Sequence, residues 1–307
     1  MPISPGSCKF CNSSHLIEFT AFERMLGLGD ECTYQQCEQC ASLQLKEIPQ
    51  DLSTYYPKEY YSFEPLVRSN SLHIFLKKLR MRALFAGVPI PEPPYAYWLK
   101  KLHPRFDDKI ADVGCGNGQL LYELYAGGFK DLHGFDPFIS RDQQIASGLQ
   151  LWKKEIGQSS ETFDLIMMHH AFEHMANPRE VLKACFERLR PGGKLLIRTP
   201  IADAAVFKAE KELWVQLDAP RHLVIGSQKG FRLLAETEGF SLDEIEFDSE
   251  AFQFMGTELY QRNLPLTQAN LANEFTEGEK EEFQKKALQY NLEGKGDQVC
   301  FYLSRRD

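Results

Sequence analysis

A glycine-rich turn offers the first chemistry in this sequence, because residues 112–118 read Asp-Val-Gly-Cys-Gly-Asn-Gly. An apolar run precedes the turn and a helical pattern follows it, so a ligand can approach the backbone amides at a helix N-terminus. A second carboxylate, Asp136, ends the next apolar run, where it is placed to bind the two hydroxyls of a ribose. The turn and Asp136 together predict a site for a nucleoside-containing ligand.

The spacing of the glycines distinguishes between ligands of this kind. The dinucleotide fingerprint is G-x-G-x-x-G, whereas residues 114–118 read G-x-G-x-G and Gln119 stands where the third dinucleotide glycine would be. The carboxylate of Asp112 suits a ligand with an ammonium group and repels a pyrophosphate. S-adenosylmethionine (SAM) has an ammonium group and a ribose but no phosphate. We therefore expect SAM here; the alternatives are an NAD-dependent dehydrogenase and a structural turn without a ligand.

Four cysteines near the N-terminus form two C-x-x-C pairs that are separated by 25 residues: Cys8, Cys11, Cys37 and Cys40. Two such pairs offer four thiolates that can surround one tetrahedral zinc ion, as in zinc ribbons. Disulfides are the alternative, and a reducing compartment would disfavour them. Cys32 is a fifth thiol in the same stretch. The spacing predicts a structural zinc site.

Histidines follow two of the later apolar runs. His169, His170 and His174 come directly after residues 163–168, and His222 lies in a stretch that reads Asp-Ala-Pro-Arg-His over residues 218–222. Residues 170–174 also fit H-x-x-E-H, a zinc-protease pattern. That chemistry needs both histidines on one face of a continuous helix. Asn177 and Pro178 predict that the next helix starts only after this stretch, so we disfavour the protease.

A neutral imidazole is a suitable base for an acceptor hydroxyl near pH 7. We expect His222 to be that base and treat His174 as the second candidate. A structural role for His174, holding the loop through a hydrogen bond, stays open. Arg221 and His222 together could bind a hydroxylated or anionic substrate.

The elements that position these residues alternate along the chain. Apolar runs at residues 110–113, 132–136, 149–152, 163–168 and 194–199 are separated by helical segments, and two more strands are expected at 242–247 and 299–303. This alternation is typical of a parallel sheet covered by helices. Because the carboxyl ends of parallel strands meet at one sheet edge, we expect the turn, Asp136 and the histidines to gather there.

In their order, these motifs resemble those of class I SAM-dependent methyltransferases. The matching stretches are residues 112–118, 135–136, 163–166, 172–178 and 189–195. The resemblance implies an α/β, Rossmann-like fold with seven strands in the order 3-2-1-4-5-7-6, the seventh antiparallel. It also implies roles for individual residues. The methionine end of SAM would be held by Asp112, Gly114, Gly116, Asn117 and Gly118, the ribose by Asp136, the adenine near Trp152 and Lys153, and the sulfonium beside His169.

The C-x-x-C segment ahead of such a domain resembles bacterial methyltransferases that act on deoxysugar nucleotides or surface-glycan sugars. The stretch at residues 218–222 resembles the same group. The resemblance implies methyl transfer to a sugar-containing small molecule and leaves open whether oxygen, nitrogen or carbon is methylated; a histidine base is expected if the acceptor is a hydroxyl. A noncatalytic zinc-module scaffold that retains the methyltransferase fold is the alternative.

A proline-rich break at residues 89–94 is the best linker candidate. We expect a zinc-ribbon-like segment at 1–50, a helical linker or lid at 51–105 and the methyltransferase domain at 106–307. An insertion at 250–295 would cover the acceptor together with residues 55–61 and 218–222.

Composition limits the partners. The 307 residues carry a formal net charge of −8, which argues against nucleic acid because nonspecific affinity for phosphates comes from clustered cations. The one short basic stretch, at residues 77–82, is typical of the solvated face of a helix. No apolar run approaches the roughly 20 residues that span a bilayer, and no signal peptide is recognisable. We expect a cytoplasmic protein without a membrane span, of an oligomeric state that the sequence leaves open.

Overall fold

A computed structural model describes residues 6–56 and 65–306. Its strands are β1 Leu16–Phe22, β2 Glu31–Cys37, β3 Leu43–Leu45, β4 Lys109–Val113, β5 Asp131–Phe135, β6 Gln143–Ala146, β7 Leu149–Trp152, β8 Phe163–His169, β9 Leu189–Pro200, β10 Val224–Ile225, β11 Phe240–Phe247 and β12 Gln298–Arg305. Its helices are α1 Ser71–Phe85, α2 Ala96–Leu102, α3 Gln119–Gly127, α4 Pro178–Arg188, α5 Ala205–Glu210, α6 Gln228–Thr237, α7 Phe252–Gln261, α8 Gln268–Asn273 and α9 Glu277–Leu292.

The larger sheet has the strand order β11-β12-β9-β8-β4-β5-β7-β6. The strands of this sheet can be numbered 1 to 7 in chain order from β4, leaving out β6. Read from the β7 side, their order is then 3-2-1-4-5-7-6. The strand order predicted from the class I methyltransferase resemblance is therefore confirmed. β6 is an additional strand that pairs antiparallel with β7. It was not predicted because its four residues, Gln143–Ala146, form a short stretch that is only partly buried.

Parallel pairing brings the carboxyl ends of β4, β5, β7 and β8 to one edge. β4 pairs in parallel with β5 and β8, and β5 pairs in parallel with β7. The register places Val113 opposite Phe135, and Phe135 opposite Trp152. The residues that follow these strands therefore emerge side by side. β8 is buried along most of its length, as its continuous apolar run predicted.

Local signals set the helix ends. The Ser227 hydroxyl accepts a hydrogen bond from the Gly230 amide and caps α6. α4 begins at Pro178, whose missing amide hydrogen costs nothing in the first turn. α4 ends at Arg188, and the strand after it starts at Leu189 rather than at Lys194, where the apolar run predicted it.

The chain folds as two compact units. The first comprises the described parts of residues 1–57, 170–183 and 197–303, and the second those of 58–169, 184–196 and 304–307. In the first unit, β1, β2, β3 and β10 form a small antiparallel sheet. Tyr34 and Leu43 of that sheet share a buried cluster with Trp214 and Leu217. The cysteine segment therefore shares the core of its unit, and the predicted boundaries at residues 50 and 105 stay predictions.

Among the helices of the described residues, none is both long enough and apolar enough to cross a bilayer.

Candidate active site

The glycine turn lies in the second unit, between β4 and α3. Gly114, Gly116 and Gly118 have φ values of 77°, 51° and 78°, a region that side chains with a Cβ adopt only under strain. A Cβ on Gly118 would also lie 2.8 Å from Cδ2 of Leu151. Glycine is thus needed here both for its backbone conformation and for its lack of a side chain.

Asp136 links the turn to the next strand end. Its Oδ2 accepts a hydrogen bond of 3.0 Å from the Gly116 amide, and its Oδ1 accepts one of 2.8 Å from the Phe138 amide. Its own amide donates to the Trp152 carbonyl oxygen at 3.1 Å. Asp136, the candidate for ribose binding, therefore lies next to the backbone of Trp152, the candidate for adenine binding. Each carboxylate oxygen keeps a further lone pair for a ligand hydroxyl.

The Trp152 side chain is held from two sides. Its indole N–H donates to His133 Nδ1 over 3.3 Å, and the Lys154 ammonium lies 4.7 Å from the ring centroid. At the end of β8, the His169 ring lies 5.2 Å from the Trp98 ring, centroid to centroid. The roles given to Trp152 and His169 stay predictions.

Asp112 is the buried carboxyl group of this site, with 4% of the residue exposed. Burial raises its pKa to about 8, and the nearby negative charge of Asp136 adds to the effect. A carboxyl group in this state gains when a cation arrives, since the cation offsets the cost of burying the charge. The ammonium of SAM is such a cation.

Glu173 is an acid of the first unit with a fully buried side chain. Its Oε2 accepts a hydrogen bond of 3.0 Å from the Thr199 hydroxyl, and its Oε1 lies 3.5 Å from His170 Nδ1. Burial alone would raise the pKa of Glu173. The bond to His170 and the charges of His222, His170 and His174 outweigh burial and lower the pKa to about 2. Glu173 therefore stays a carboxylate.

His222 has a defined tautomer. Its Nδ1 lies 2.7 Å from the Gln216 carbonyl oxygen. A carbonyl oxygen can only accept, so Nδ1 carries the proton and donates, which leaves the lone pair on Nε2. Burial lowers the pKa of His222, although Asp218 opposes the shift. His222 is thus a neutral imidazole near pH 7, and its Nε2 lies 3.8 Å from Asp218 Oδ2.

His174 lies beside His222, with ring centroids 4.8 Å apart and an edge-to-face arrangement. Its Nδ1 lies 3.0 Å from the Arg221 carbonyl oxygen and 3.2 Å from the Tyr56 hydroxyl. These contacts are consistent with a structural role in which His174 holds the loop. They also place His174 next to His222, the predicted base. Ligand atoms of Glu173, His174 and His222 all lie within 4.8 Å of one another.

The H-x-x-E-H stretch does not form the helix that a zinc protease requires. Residues Phe172–His174 form one short 3-10 turn, and His170 has a φ of 51°. The two histidines therefore do not share a helix face. The disfavoured protease interpretation has no support in the geometry.

Arg221 does not offer its guanidinium to a substrate, contrary to the prediction from the sequence. Its side chain is fully buried and forms ion pairs of 2.7 Å with Asp218 and 3.0 Å with Glu23. A further N–H donates to the Tyr55 carbonyl oxygen. Burial opposes the charge, but Asp218 and Glu23 raise the pKa of Arg221. Arg221 therefore holds the loop that carries His222.

The four predicted zinc ligands meet in the first unit. Their sulfur atoms all lie within 4.8 Å of one another, with 3.6 Å between Cys8 and Cys40 and 3.5 Å between Cys11 and Cys37. Zinc–sulfur bonds of about 2.3 Å in a tetrahedron place sulfur atoms about 3.8 Å apart. All four thiols are free, and burial raises the pKa of Cys11 to about 11. The geometry of the four sulfur atoms suits a tetrahedral cation.

Both C-x-x-C pairs have the same backbone pattern. The Cys8 amide donates to the Ser13 carbonyl oxygen and the Cys37 amide to that of Ser42, at 2.8 and 2.9 Å. In each pair, the residue after the second cysteine has a positive φ: 63° at Asn12 and 64° at Ala41. Two matching turns thus present their sulfur atoms to one point.

The cysteine segment also holds the histidine loop. The Tyr34 hydroxyl donates to the His222 carbonyl oxygen at 2.7 Å, and the Leu45 amide donates to the Leu223 carbonyl oxygen at 2.9 Å. Tyr34 and Glu23 were not predicted from the sequence because their partners lie almost 200 positions away. No local spacing signals such a pair.

A family model described as a methyltransferase domain matches residues 80–245, more than half of the chain. The chain belongs to this methyltransferase domain family. The matched range contains the glycine turn, Asp136 and all four candidate histidines.

Relatives of this methyltransferase domain differ in what they are named for. The tRNA U34 carboxymethyltransferase of Helicobacter pylori strain G27 is 34% identical over 119 residues, which cover 34% of this chain and 46% of that protein. The ubiquinone biosynthesis O-methyltransferase of Idiomarina loihiensis is 32% identical over 164 residues, which cover 48% and 66%. The match to the first relative spans about half of its length. Among solved structures, the cyclopropane synthase MmaA2 of Mycobacterium tuberculosis has a TM-score of 0.44 at 17% identity and covers 67% of this chain and 81% of that one.

Proposed function

We propose that this protein transfers the methyl group of SAM to a hydroxyl group of a sugar-containing small molecule. The observation that carries the proposal is the pair of carboxylates at the glycine turn. Asp136 keeps lone pairs for two ribose hydroxyls, and Asp112 has a raised pKa that a ligand ammonium would reverse. SAM would satisfy both carboxyl groups, because it has a ribose and an ammonium group. The methyltransferase family of this chain also supports SAM as the ligand.

In the proposed reaction, the acceptor oxygen attacks the methyl carbon in line with the departing sulfur. The sulfonium already activates this carbon, so the protein contributes alignment and exclusion of water. We place the acceptor proton on His222 Nε2, because the bond from Nδ1 to Gln216 leaves that nitrogen as the acceptor. Asp218 and Glu173 would stabilise the imidazolium that forms, because both carboxylates favour the charged form of His222.

The sugar part of the proposal rests on resemblance and charge. The C-x-x-C segment and residues 218–222 resemble sugar methyltransferases, and the net charge of −8 disfavours a long polyanion. The two relatives are named for a tRNA nucleoside and for ubiquinone biosynthesis. The two names point to different acceptors, so the proposal of a sugar acceptor rests on the resemblance and on the charge. We also propose that one structural zinc ion is bound by Cys8, Cys11, Cys37 and Cys40.

A screen with methyl-labelled SAM tests the function. Nucleotide sugars, free sugars, bulk tRNA and a polyprenylated phenol serve as acceptors, and the Asp136→Ala variant is the negative control. We expect label in a nucleotide sugar, with an O-methyl group identified by mass spectrometry. Label in tRNA or in the phenol would overturn the sugar acceptor and keep methyl transfer. Failure of the wild-type protein to bind SAM in calorimetry would overturn the enzyme and favour the scaffold.

A further inference from the structure

Helix α1 of the second unit turns an apolar face to solvent. Leu72, Phe75, Leu76 and Leu79 are exposed to 65%, 57%, 51% and 45%. Their spacing of i, i+3, i+4 and i+7 places all four on one side of the helix. The four side chains form a continuous apolar stripe. Single exposed leucines scattered over a surface would not form such a stripe.

The opposite side of α1 is fixed, so the exposed stripe is a defined surface. Met81 is buried, and a Cβ on Gly127 of α3 would lie 2.7 Å from the Met81 Cε atom. The Lys77 ammonium forms an ion pair of 2.6 Å with Glu123, also on α3. Rotation of α1 that buried the stripe would break both contacts.

The stripe stands out within the described part of the chain. Six of the thirteen large apolar side chains that are exposed there lie between residues 67 and 88. Besides the four on α1, they are Val67 and Val88, one before the helix and one after it. The exposed apolar surface is thus concentrated on one element and its ends.

Charge is concentrated on the same segment. Residues 65–91 contain five cationic side chains and no Asp or Glu, in a chain whose net charge is −8. Lys78 and Arg82 are exposed and lie beside the stripe. An apolar stripe flanked by cations matches a helix that lies in the headgroup region of an anionic membrane.

We propose that α1 is a peripheral anchor that docks this protein on an anionic lipid surface. Its apolar stripe would enter the boundary between headgroups and acyl chains, while Lys78, Arg82 and Arg68 contact lipid phosphates. A second copy of the chain fits this face less well. A symmetric dimer on α1 would set the exposed Arg68, Lys78 and Arg82 of one copy against the same cations of the other, and like charges at an interface oppose association.

Vesicle flotation tests the anchor, with phosphatidylcholine vesicles that contain or lack phosphatidylglycerol. We expect the full chain to float only with the anionic vesicles, and less at high salt. Phe75→Asp with Leu76→Asp should weaken binding by about tenfold or more, since it removes apolar contact and adds negative charge. Lys78→Glu with Arg82→Glu should weaken it by about tenfold or more and remove most of the salt dependence.

Helix α9 offers a matched control, because Leu288 and Leu292 are exposed to 54% and 91% on a helix that begins with acidic residues. Leu288→Asp with Leu292→Asp should leave flotation unchanged. SAM affinity and the unfolding midpoint should be unchanged in all three variants. The proposal is overturned if the wild-type chain does not float with anionic vesicles or if the α1 variants float as it does. It is also overturned if light scattering shows a lipid-independent dimer that Phe75→Asp abolishes.

Discussion

Glu23 and Arg221 form a fully buried ion pair, with 3.0 Å between Oε1 and Nη2, although 198 positions separate them in the chain. Glu23 belongs to the cysteine segment, and Arg221 directly precedes the proposed base. The pair fixes the histidine loop from the side of that segment. An N-terminal segment without a direct part in the chemistry thereby contributes to the geometry of the site.

Glu23→Gln should destabilise the fold and slow the reaction. It removes one of the two carboxylates that compensate the buried guanidinium, and breaking a buried pair of this kind costs about 3 kcal/mol. In the parent, Glu23 Oε1 and Oε2 accept hydrogen bonds from the amides of Leu26 and Leu28, respectively. The variant replaces one of these two oxygens. We expect a lower urea midpoint, reduced turnover and unchanged SAM affinity, because the glycine turn lies in the other unit.

Glu18→Gln is the control for that experiment. Glu18 lies in the same segment and pairs with Lys46, but both side chains are more than 40% exposed, and exposed pairs contribute little. Its urea midpoint should match that of the parent. Equal effects of Glu18→Gln and Glu23→Gln would contradict the special role of the buried pair.

One zinc ion per chain is the expected result of metal analysis on protein purified under reducing conditions without chelator. Slow removal of the metal by a chelator should lower turnover and leave SAM binding intact, since Tyr34 and Glu23 would then hold the histidine loop less firmly. Cys8→Ser should lose the metal, whereas Cys32→Ser should keep it. A metal content well below one, or loss of metal in Cys32→Ser, would contradict the four-cysteine assignment.

The strands along the chain and the turn were predictable because they depend on local signals, whereas the order of the strands in the sheet was implied by the family resemblance. Apolar runs, Pro178 at the start of α4 and the capping Ser227 are written in a few consecutive residues. The glycine spacing and Asp136 identified the cofactor candidate for the same reason. The two C-x-x-C pairs also carry their geometry in their spacing, so their convergence was expected.

What could not be predicted depends on contacts between distant residues. Arg221 looks like a substrate-binding group in the sequence, and only its ion pairs with Glu23 and Asp218 show that its charge is already matched. The tautomer of His222 depends on the Gln216 carbonyl oxygen, which no side-chain pattern indicates. In the sequence, the exposed stripe of α1 looks like an ordinary core face. Periodicity predicts that one side of a helix is apolar, but it does not predict whether that side is buried or exposed.

Asp112 should release a proton when SAM binds near pH 7. Its pKa is raised to about 8 by burial and by Asp136, so it is protonated in the free protein, and the SAM ammonium favours the carboxylate. Calorimetry in buffers of different ionisation enthalpy should show a release approaching one proton. Asp112→Asn should abolish the release and weaken SAM binding about tenfold or more. An unchanged proton release in Asp112→Asn would place the ammonium elsewhere.

The same shift predicts how stability depends on pH. The raised pKa means that the folded protein holds a proton on Asp112 between about pH 4 and pH 8, whereas the unfolded chain has lost it. Stability without SAM should therefore fall as pH rises through this range. Asp112→Asn should flatten the fall, which urea unfolding at several pH values would reveal. A parallel curve for the variant would show that Asp112 titrates normally.

His222→Ala should lower turnover by about 10²-fold or more and leave SAM affinity nearly unchanged, the usual size of a lost acid–base contribution. Because burial lowers the pKa of His222, the neutral, active form should persist below pH 6.5. The rate should then fall on the acid side with a slope of one proton. His174→Ala is the matched comparison, since its ring lies 4.8 Å from that of His222. A smaller loss, with the acid limb retained, is expected for His174→Ala. A larger loss there, with intact folding, would transfer the role of base to His174, and unchanged rates in both variants would mean that the acceptor needs no base.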